Sequence, residues 1–490
     1  MTIFCKNSIF LIINMNKITS RAEDFSQWYQ DIISVADLAE YSIVKGSMII
    51  KPYGYAIWEQ IQLELNKMIK DKGVDNMYFP LLIPMNLLTK EADHIEGFAP
   101  EVAMVTHAGG EKLEEPYVIR PTSETIIYNS FKDWIQTYRD LPLKINQWAN
   151  VMRWEKRTKL FLRTTEFLWQ EGHTAHSTPA ESDSFAQEML EVYRFLAEDV
   201  LAIPVLTGEK SESERFAGAK KTYTIEAMMQ DGKALQAGTS HDLGDHFAKA
   251  FDITYTNSNN EQEFAHQTSW GVSTRIIGGL IMAHSDDKGL VLPPNIAPIQ
   301  VVICALFNKD ESDNIRIKET ISILEKDLIS KGVRVKIDDS DLRIGDKFYK
   351  WEQKGVPVRI EVGARELVNG NVGVFRRDEM SKESIAIEES TNVATELLHI
   401  IQANMLNKSK ELRASRTIEV NSWEEFQKYI NEGYFVIASY DGTAETEAKI
   451  KEITKATTRC KPYDLDQNNL NKCVYTGNEA KCRFVFAKSY

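Results

Sequence analysis

Residues 151–173 read VMRWEKRTKLFLRTTEFLWQEGH. Arg163, Thr165, Phe167, Trp169, Glu171 and His173 fall at every second position, which predicts a strand over 161–171 with one chemically specific face. Arg153 and Glu155 share a face of the preceding strand, 144–154, for the same reason. Closing the two strands as a hairpin through KRTKL gathers two arginines, an aromatic plane and two carboxylates into one pocket. Arginine gives phosphate a bidentate, charge-assisted contact, and an aromatic face stacks a base. The same pattern also fits a solvated hairpin whose Trp and Phe pack a core, so other segments decide.

A chain of 490 residues is too long for one core and implies two or three domains. Its 43% apolar and 26% charged residues are those of a globular protein. The net charge of −13 places any RNA contact on local basic patches and excludes a DNA-coating protein. Five cysteines, odd in number and widely spaced, point to a reducing compartment and hence the cytoplasm. Residues 1–23 read as a disordered leader: the apolar run Ile9–Ile13 is too short to span a bilayer, and no small-residue cleavage site follows. No other stretch is apolar enough to span a membrane, so neither membrane nor DNA is an expected partner.

Helical spacing covers 24–41 and 56–70, Gly73 closes the second helix, and VDNMYFPLLIP reads as a proline-interrupted strand at an edge or subunit contact. A helix over 184–201 and a strand over 222–228 follow. PPNIAP at 293–298 marks a boundary, after which strands and helices alternate as a small α/β domain with a mostly parallel sheet.

Three patterns occur in order: Gly73-Val74 to Pro80-Leu81-Leu82, then Arg153-x-Glu155 with Arg163 and Phe167, then Gly271-Val272-Ser273-Thr274-Arg275 before IIGGLIMAH. Together they resemble motifs 1, 2 and 3 of the class II aminoacyl-tRNA synthetases. The stretches VIRPTSETIIY, LRTTEFLWQEGHTAH, GTSHDLGDHFAKAF and GLVLPPNIAPIQVVI look more narrowly like the prolyl-tRNA synthetases, in their archaeal/eukaryote-like form. The resemblance runs from about residue 25 to the C-terminus. It implies an α+β class II catalytic domain at 24–296, built on an antiparallel sheet flanked by helices. An α/β anticodon-binding domain at 297–407 and a small α+β C-terminal domain at 408–490 would follow.

The activity implied is that of a proline–tRNA ligase, with L-proline, ATP, magnesium and tRNA(Pro) as partners and a homodimer as the assembly. No protein nucleophile is needed for such chemistry, only positioned cations, and the chain shows no Gly-x-Ser-x-Gly elbow. By resemblance Arg153 bridges the α-phosphate and the substrate carboxylate, and with Arg275 forms the catalytic pair. Glu155 reads the adenine side, Arg163 and Thr164 meet the phosphates and base, and Phe167 stacks on adenine opposite Arg275. Gln236, Thr239 and His241 complete the nucleotide site with Ser273, and Gln236 adjoins the magnesium carried by ATP. Thr122 and Glu124 accept the prolinium ammonium, and Arg153, Trp169, Glu171 and His173 wall that end. Thr122–Glu124 also reads as a helix cap.

Two other readings fit parts of the sequence. His241-Asp242-x-x-Asp245-His246 resembles the ligand cluster of an HD-type metal phosphohydrolase. A catalytically dead synthetase-like binding module would carry the same fold, but Arg153, Arg163 and Arg275 are all present. In the second domain Glu352 and Arg359 are the expected readers of anticodon guanines. In the third, Cys460, Cys473 and Cys482 supply too few thiolates for the four-ligand zinc site many relatives hold. No zinc is expected there, and the domain should rest on its apolar core alone. Tyr490 ends the sequence, and by resemblance its carboxylate approaches the catalytic domain. About a hundred residues separate Glu171 from Gly271, too few for a hydrolytic editing domain. Alanine or cysteine mischarging is therefore expected, since one methylene separates small substrates by only about 1–3 kcal/mol.

Overall fold

A computed structural model describes residues 18–88 and 102–490. The leader segment before residue 18, including Ile9–Ile13, lies outside the described residues. Residues 18–23, read as disordered leader, are instead tied down. The Thr19 amide donates to Asp31 at 2.8 Å, and Arg21 donates to Asp287 at 3.0 and 3.1 Å.

Helix α1 (Phe25–Val35) starts at Asp24, whose carboxylate caps two amides, and buries Trp28, Tyr29, Ile32 and Ile33. It ends sooner than its spacing suggests, because Asp37 takes a left-handed turn (φ 59) into β1 (Ala39–Tyr41), which pairs with β2 (Met48–Ile50). Helix α2 (Pro52–Asp71) opens on proline, buries a stripe from Ile57 to Ile69, and gives way to Gly73 at φ 71. The expected strand after it is reduced to β3 (Asp75–Asn76) and a separate short strand at Leu82–Pro84.

After α3 (Glu124–Trp134), strands β4 (Leu143–Met152) and β5 (Glu166–His176) form the predicted hairpin, with Met152 opposite Glu166. Helix α4 (Pro179–Phe195) precedes β6 (Val205–Glu209), β7 (Lys221–Met228), β8 (Ala234–Gly244) and β9 (His266–Ser273), and α5 (Arg275–His284) closes the domain. Strands β6, β7, β8, β9, β5 and β4 pair antiparallel in that spatial order, and β3 adds a parallel edge. One sheet face packs on α4, where the Trp270 ring lies over Gly172 so closely that a Cβ there would stand 2.1 Å from it. The other face is open and carries the site.

The second domain alternates β10 (Val301–Leu306), α6 (Glu311–Ser330), β11 (Val335–Asp338), α7 (Ile344–Gln353) and β12 (Val358–Gly363), then adds β13 (Asn371–Arg376) and β14 (Ser381–Ala386). Only β11, β10 and β12 run parallel. The tight β13–β14 hairpin makes the other half antiparallel, correcting the mostly parallel expectation. Buried Arg377 clamps this domain to the first through two 2.7 Å bonds to Asp286.

Helix α8 (Ile387–Ser415) leads to β15 (Thr417–Glu419), α9 (Trp423–Asn431), β16 (Phe435–Tyr440), α10 (Ala444–Thr454), β17 (Thr457–Pro462) and β18 (Cys482–Ala487). Strand β17 pairs with β6, Lys461 opposite Glu209, so one sheet of eleven strands runs through both domains. Gly208 permits the junction, since a Cβ there would stand 2.3 Å from the Lys461 carbonyl oxygen. The third domain therefore does not rest on its apolar core alone. Its core around Phe426, Tyr440 and Phe486 is joined by this ladder and by a buried ion triad described below. Tyr490 donates from its hydroxyl to Asp231 at 2.6 Å and from its amide to the Ala234 carbonyl at 3.1 Å. The described cysteines are free thiols, and among the described residues no group of three or more His, Cys, Asp or Glu side chains is placed to hold a metal.

Candidate active site

Opposed residues of antiparallel strands share a face, so the register itself assembles the site. His173, Ser269, His241 and Thr222 stand opposite one another across β5, β9, β8 and β7; Gln147, Glu171, Gly271 and Thr239 form the next row from β4 to β8. Trp169 and Ser273 follow in the row beyond. Two adjoining cavities of about 250 Å³ each lie on this face. Thr122, Glu124, Trp169, Glu171, His173, Gln236, Thr239 and His241 line the first; Glu155, Arg163 and Thr164 line the second. Arg153, Phe167, Ser273 and Arg275 line both. Every residue assigned to ATP or proline from the sequence thus falls in one continuous space.

One end is cationic. Arg153 Nε donates to the Pro121 carbonyl at 2.9 Å, and its guanidinium carbon lies 5.5 and 5.6 Å from the Phe167 and Trp169 ring centroids. Arg275 opens α5 and donates Nε to the Leu162 carbonyl at 3.1 Å. Burial, reinforced by the nearby Arg153 and Arg163 charges, pulls Arg275 down to about 10, still protonated at neutral pH. Arg163 is exposed and lies 3.6 Å from the Glu155 carboxylate. Like charges gathered this way are relieved by a polyanion.

The other end is anionic and dry. Glu171, 2% exposed, accepts from Ser123 Oγ at 2.5 Å and Gln147 Nε2 at 2.6 Å, and lies 3.2 Å from His173 Nε2. Glu124, 3% exposed, accepts from the Thr122 hydroxyl. Tyr128 OH holds His173 Nδ1 at 3.3 Å from behind. Trp169 Nε1 and Ser269 Oγ are buried without a partner beside this cavity. Two buried carboxylates and unpartnered polar atoms suit a small cation with polar groups of its own. His241 is drawn down to about 4 by burial and so is neutral at pH 7; its Nδ1 lies 3.0 Å from Thr222 Oγ1.

The structure corrects three expectations and disposes of one alternative. Strand β4 ends at Met152, so Arg153 and Glu155 lie beyond its face. Arg163 and Thr165 are not on the β5 face: Lys159 and Arg163 exchange backbone bonds of 2.7 and 2.9 Å around Phe161 at φ 62, so the strand starts only at Glu166. The HD-type cluster does not form, because His241 and Asp242 are consecutive on a strand and face opposite ways. Asp242 turns to Ser182 Oγ at 3.0 Å on the α4 side. Arg359 is 4% exposed, between Phe348 and Phe375, and bonds Glu352 at 2.9 Å and Glu361 at 3.0 Å. It braces Glu352 rather than facing solvent.

Phe216, unassigned from the sequence, stacks on His241 at 4.7 Å and 29°. It arrives on a loop without periodicity. Ser269 was also missed, although alternation along 266–273 ending at Ser273 selects it.

Residues 106–284 match the family described as tRNA synthetase class II core domain (G, H, P, S and T), 300–397 the anticodon binding domain, and 423–490 the prolyl-tRNA synthetase C-terminal domain. The proline–tRNA ligase of Bacteroides fragilis is 53% identical, over 97% of this chain and 99% of its own length. Those of Parabacteroides distasonis and Chloroherpeton thalassium are 53% and 54% identical, each over 97% of this chain and 99% of its own length.

Proposed function

The chain belongs to the prolyl-tRNA synthetase family of class II aminoacyl-tRNA synthetases, and we propose that it is a proline–tRNA ligase acting in the cavity described above. In the first step the proline carboxylate attacks the α-phosphorus of ATP. An oxygen–phosphorus bond forms, the bond to the β-phosphate breaks, and pyrophosphate leaves. In the second, the ribose hydroxyl at the 3′ end of tRNA(Pro) attacks the prolyl carbonyl and AMP departs.

The observation that supports this best is the convergence of Arg153, Arg163 and Arg275 on one cavity that opens into a pocket holding buried Glu124 and Glu171. Charge building on the α-phosphate oxygens is met by cations already in place, so little reorganisation is needed at the transition state. Arg153, between Phe167 and the proline end, bridges the two reactants; Phe167 and Arg275 sandwich adenine, with Glu155 and Thr164 at its edge. Thr122 and Glu124 receive the prolinium N–H groups, Glu171 adds its negative charge at the wall, and Trp169 and His173 exclude longer side chains. The Gln236 amide oxygen and Ser273 are hard donors suited to magnesium, which would come on the phosphates and offset their charge.

Glu352, braced by Arg359, is the proposed anticodon contact. Exposed Tyr41, Ile43 and Val44, with Met77 and Tyr78 of the motif 1 segment, support a homodimer through that surface. Among the described residues no helix is long and apolar enough to cross a membrane; a cytoplasmic site is part of the proposal. The test is ATP-dependent charging of tRNA(Pro) with labelled proline. A dead module gives no charging, and a metal phosphohydrolase gives manganese-dependent phosphate release instead.

A further inference from the structure

A carboxylate removed from water needs compensating charge and hydrogen bonds. Glu226 on β7 is 0% exposed and stands opposite Gln236, on the cavity face of the sheet. One of its oxygens accepts from Lys210 Nζ at 2.8 Å and Thr224 Oγ1 at 3.0 Å; the other accepts from Arg459 Nε at 3.0 Å and Nη2 at 2.8 Å. Lys210 and Arg459 are themselves 4% and 5% exposed. Arg459 belongs to the third domain, on the strand that continues the catalytic sheet. Two cations and one carboxylate leave a single net positive charge buried beside Gln236. Arg459 and Glu226 both act on Arg275, with opposite signs. The same domain grips the base of the loop that delivers Phe216: Glu447 accepts from Ser211 Oγ at 3.0 Å and from the Ser213 hydroxyl. The two chemical steps use none of these groups directly.

Building on the ligase reading, we infer that the third domain completes the nucleotide site, with Arg459 as a positioning residue that sets the buried charge behind the triphosphate subsite. With Arg459 docked, Glu226 is neutralised and the wall carrying Gln236 is net positive. Without it, Glu226 and Lys210 cancel, and the triphosphate meets a wall of no net charge.

The test is proline-dependent ATP–pyrophosphate exchange by the full chain, with KM measured separately for ATP and proline. ATP KM is expected to follow the triad's net charge by about tenfold per unit. It rises in Arg459→Gln, stays near wild type in Arg459→Lys and in the double variant Glu226→Gln/Arg459→Gln, and falls in Glu226→Gln, while proline KM stays within about threefold throughout. A purely structural bridge predicts a lower Tm in every variant and no such ordering, and that result overturns the inference. So does a parallel rise of both KM values in Arg459→Gln. Should that variant fail to fold, Glu226→Gln and the double variant decide the matter, equal ATP KM in the two being the contrary result. A wild type that exchanges while its variants keep its ATP KM refutes this inference alone; a wild type that does not exchange refutes the ligase reading.

Discussion

Lowering the pH from 7.5 to 5 should destabilise the catalytic domain steeply, through three histidines. Burial holds His176, His241 and His284 down to about 4, against an ordinary value of about 6.5. With folded values depressed, the unfolded chain takes up protons first, so stability is full above about 6.5 and is lost as pH falls toward about 4. At pH 5 each histidine has forfeited about 2 kcal/mol, or roughly 6 kcal/mol together. That is comparable to the whole stability of many domains, about 5–15 kcal/mol. The ion-paired carboxylates Glu226 and Asp286 are held below their ordinary values and add their losses only at lower pH. Urea midpoints followed by tryptophan fluorescence across this range measure the effect. His284→Gln, whose amide can still donate to the Leu201 carbonyl now 2.8 Å from Nε2, should remove about a third of it. A midpoint unchanged between pH 7.5 and 5, or a variant as steep as wild type, would rule out titration of these histidines as the cause. Proline KM should stay nearly unchanged down to about pH 5 and rise only as pH approaches about 4, where His241 takes up its proton and repels the prolinium.

Three other outcomes follow from particular contacts. Glu171→Gln should raise proline KM by about a hundredfold with ATP KM nearly unchanged, since it removes the charge and turns an N–H toward Ser123, Gln147 or His173; equal changes in both would contradict this. Gly172→Ala drives a methyl group into the Trp270 ring and should cost about 2 kcal/mol or more, seen as a lower Tm. Strands β6 to β9 and helix α4 occupy the chain between Glu171 and Gly271. Purified protein should accordingly leave alanyl-tRNA(Pro) intact, and its deacylation by this chain alone would count against the expected mischarging.

Alternation carried the reading of the site, because a strand face is a local property: Phe167 to His173 needed only period two. The same rule overreached at Arg163 and Thr165, where the Lys159–Arg163 turn replaces strand geometry before the face begins. Phe216 was illegible because its position depends on a loop held by groups far along the chain. The junction of β17 with β6 joins residues about 250 apart, and nothing near Gly208 or Lys461 announces it. Lys210, Glu226 and Arg459 look like ordinary surface charges until that junction buries them together. The antiparallel half of the second sheet was hidden in the same way, since strand direction depends on connections and not on composition.

Guanidinium groups gathered in one cavity stabilise the charge that builds on the ATP α-phosphate as the proline carboxylate attacks it. Proline-dependent ATP–pyrophosphate exchange by wild type and Arg153→Ala tests it most directly. Exchange should require proline in the wild type and fall by about a hundredfold or more in the variant, with circular dichroism unchanged. Exchange that persists in folded Arg153→Ala, or that proceeds equally well without proline, would contradict it.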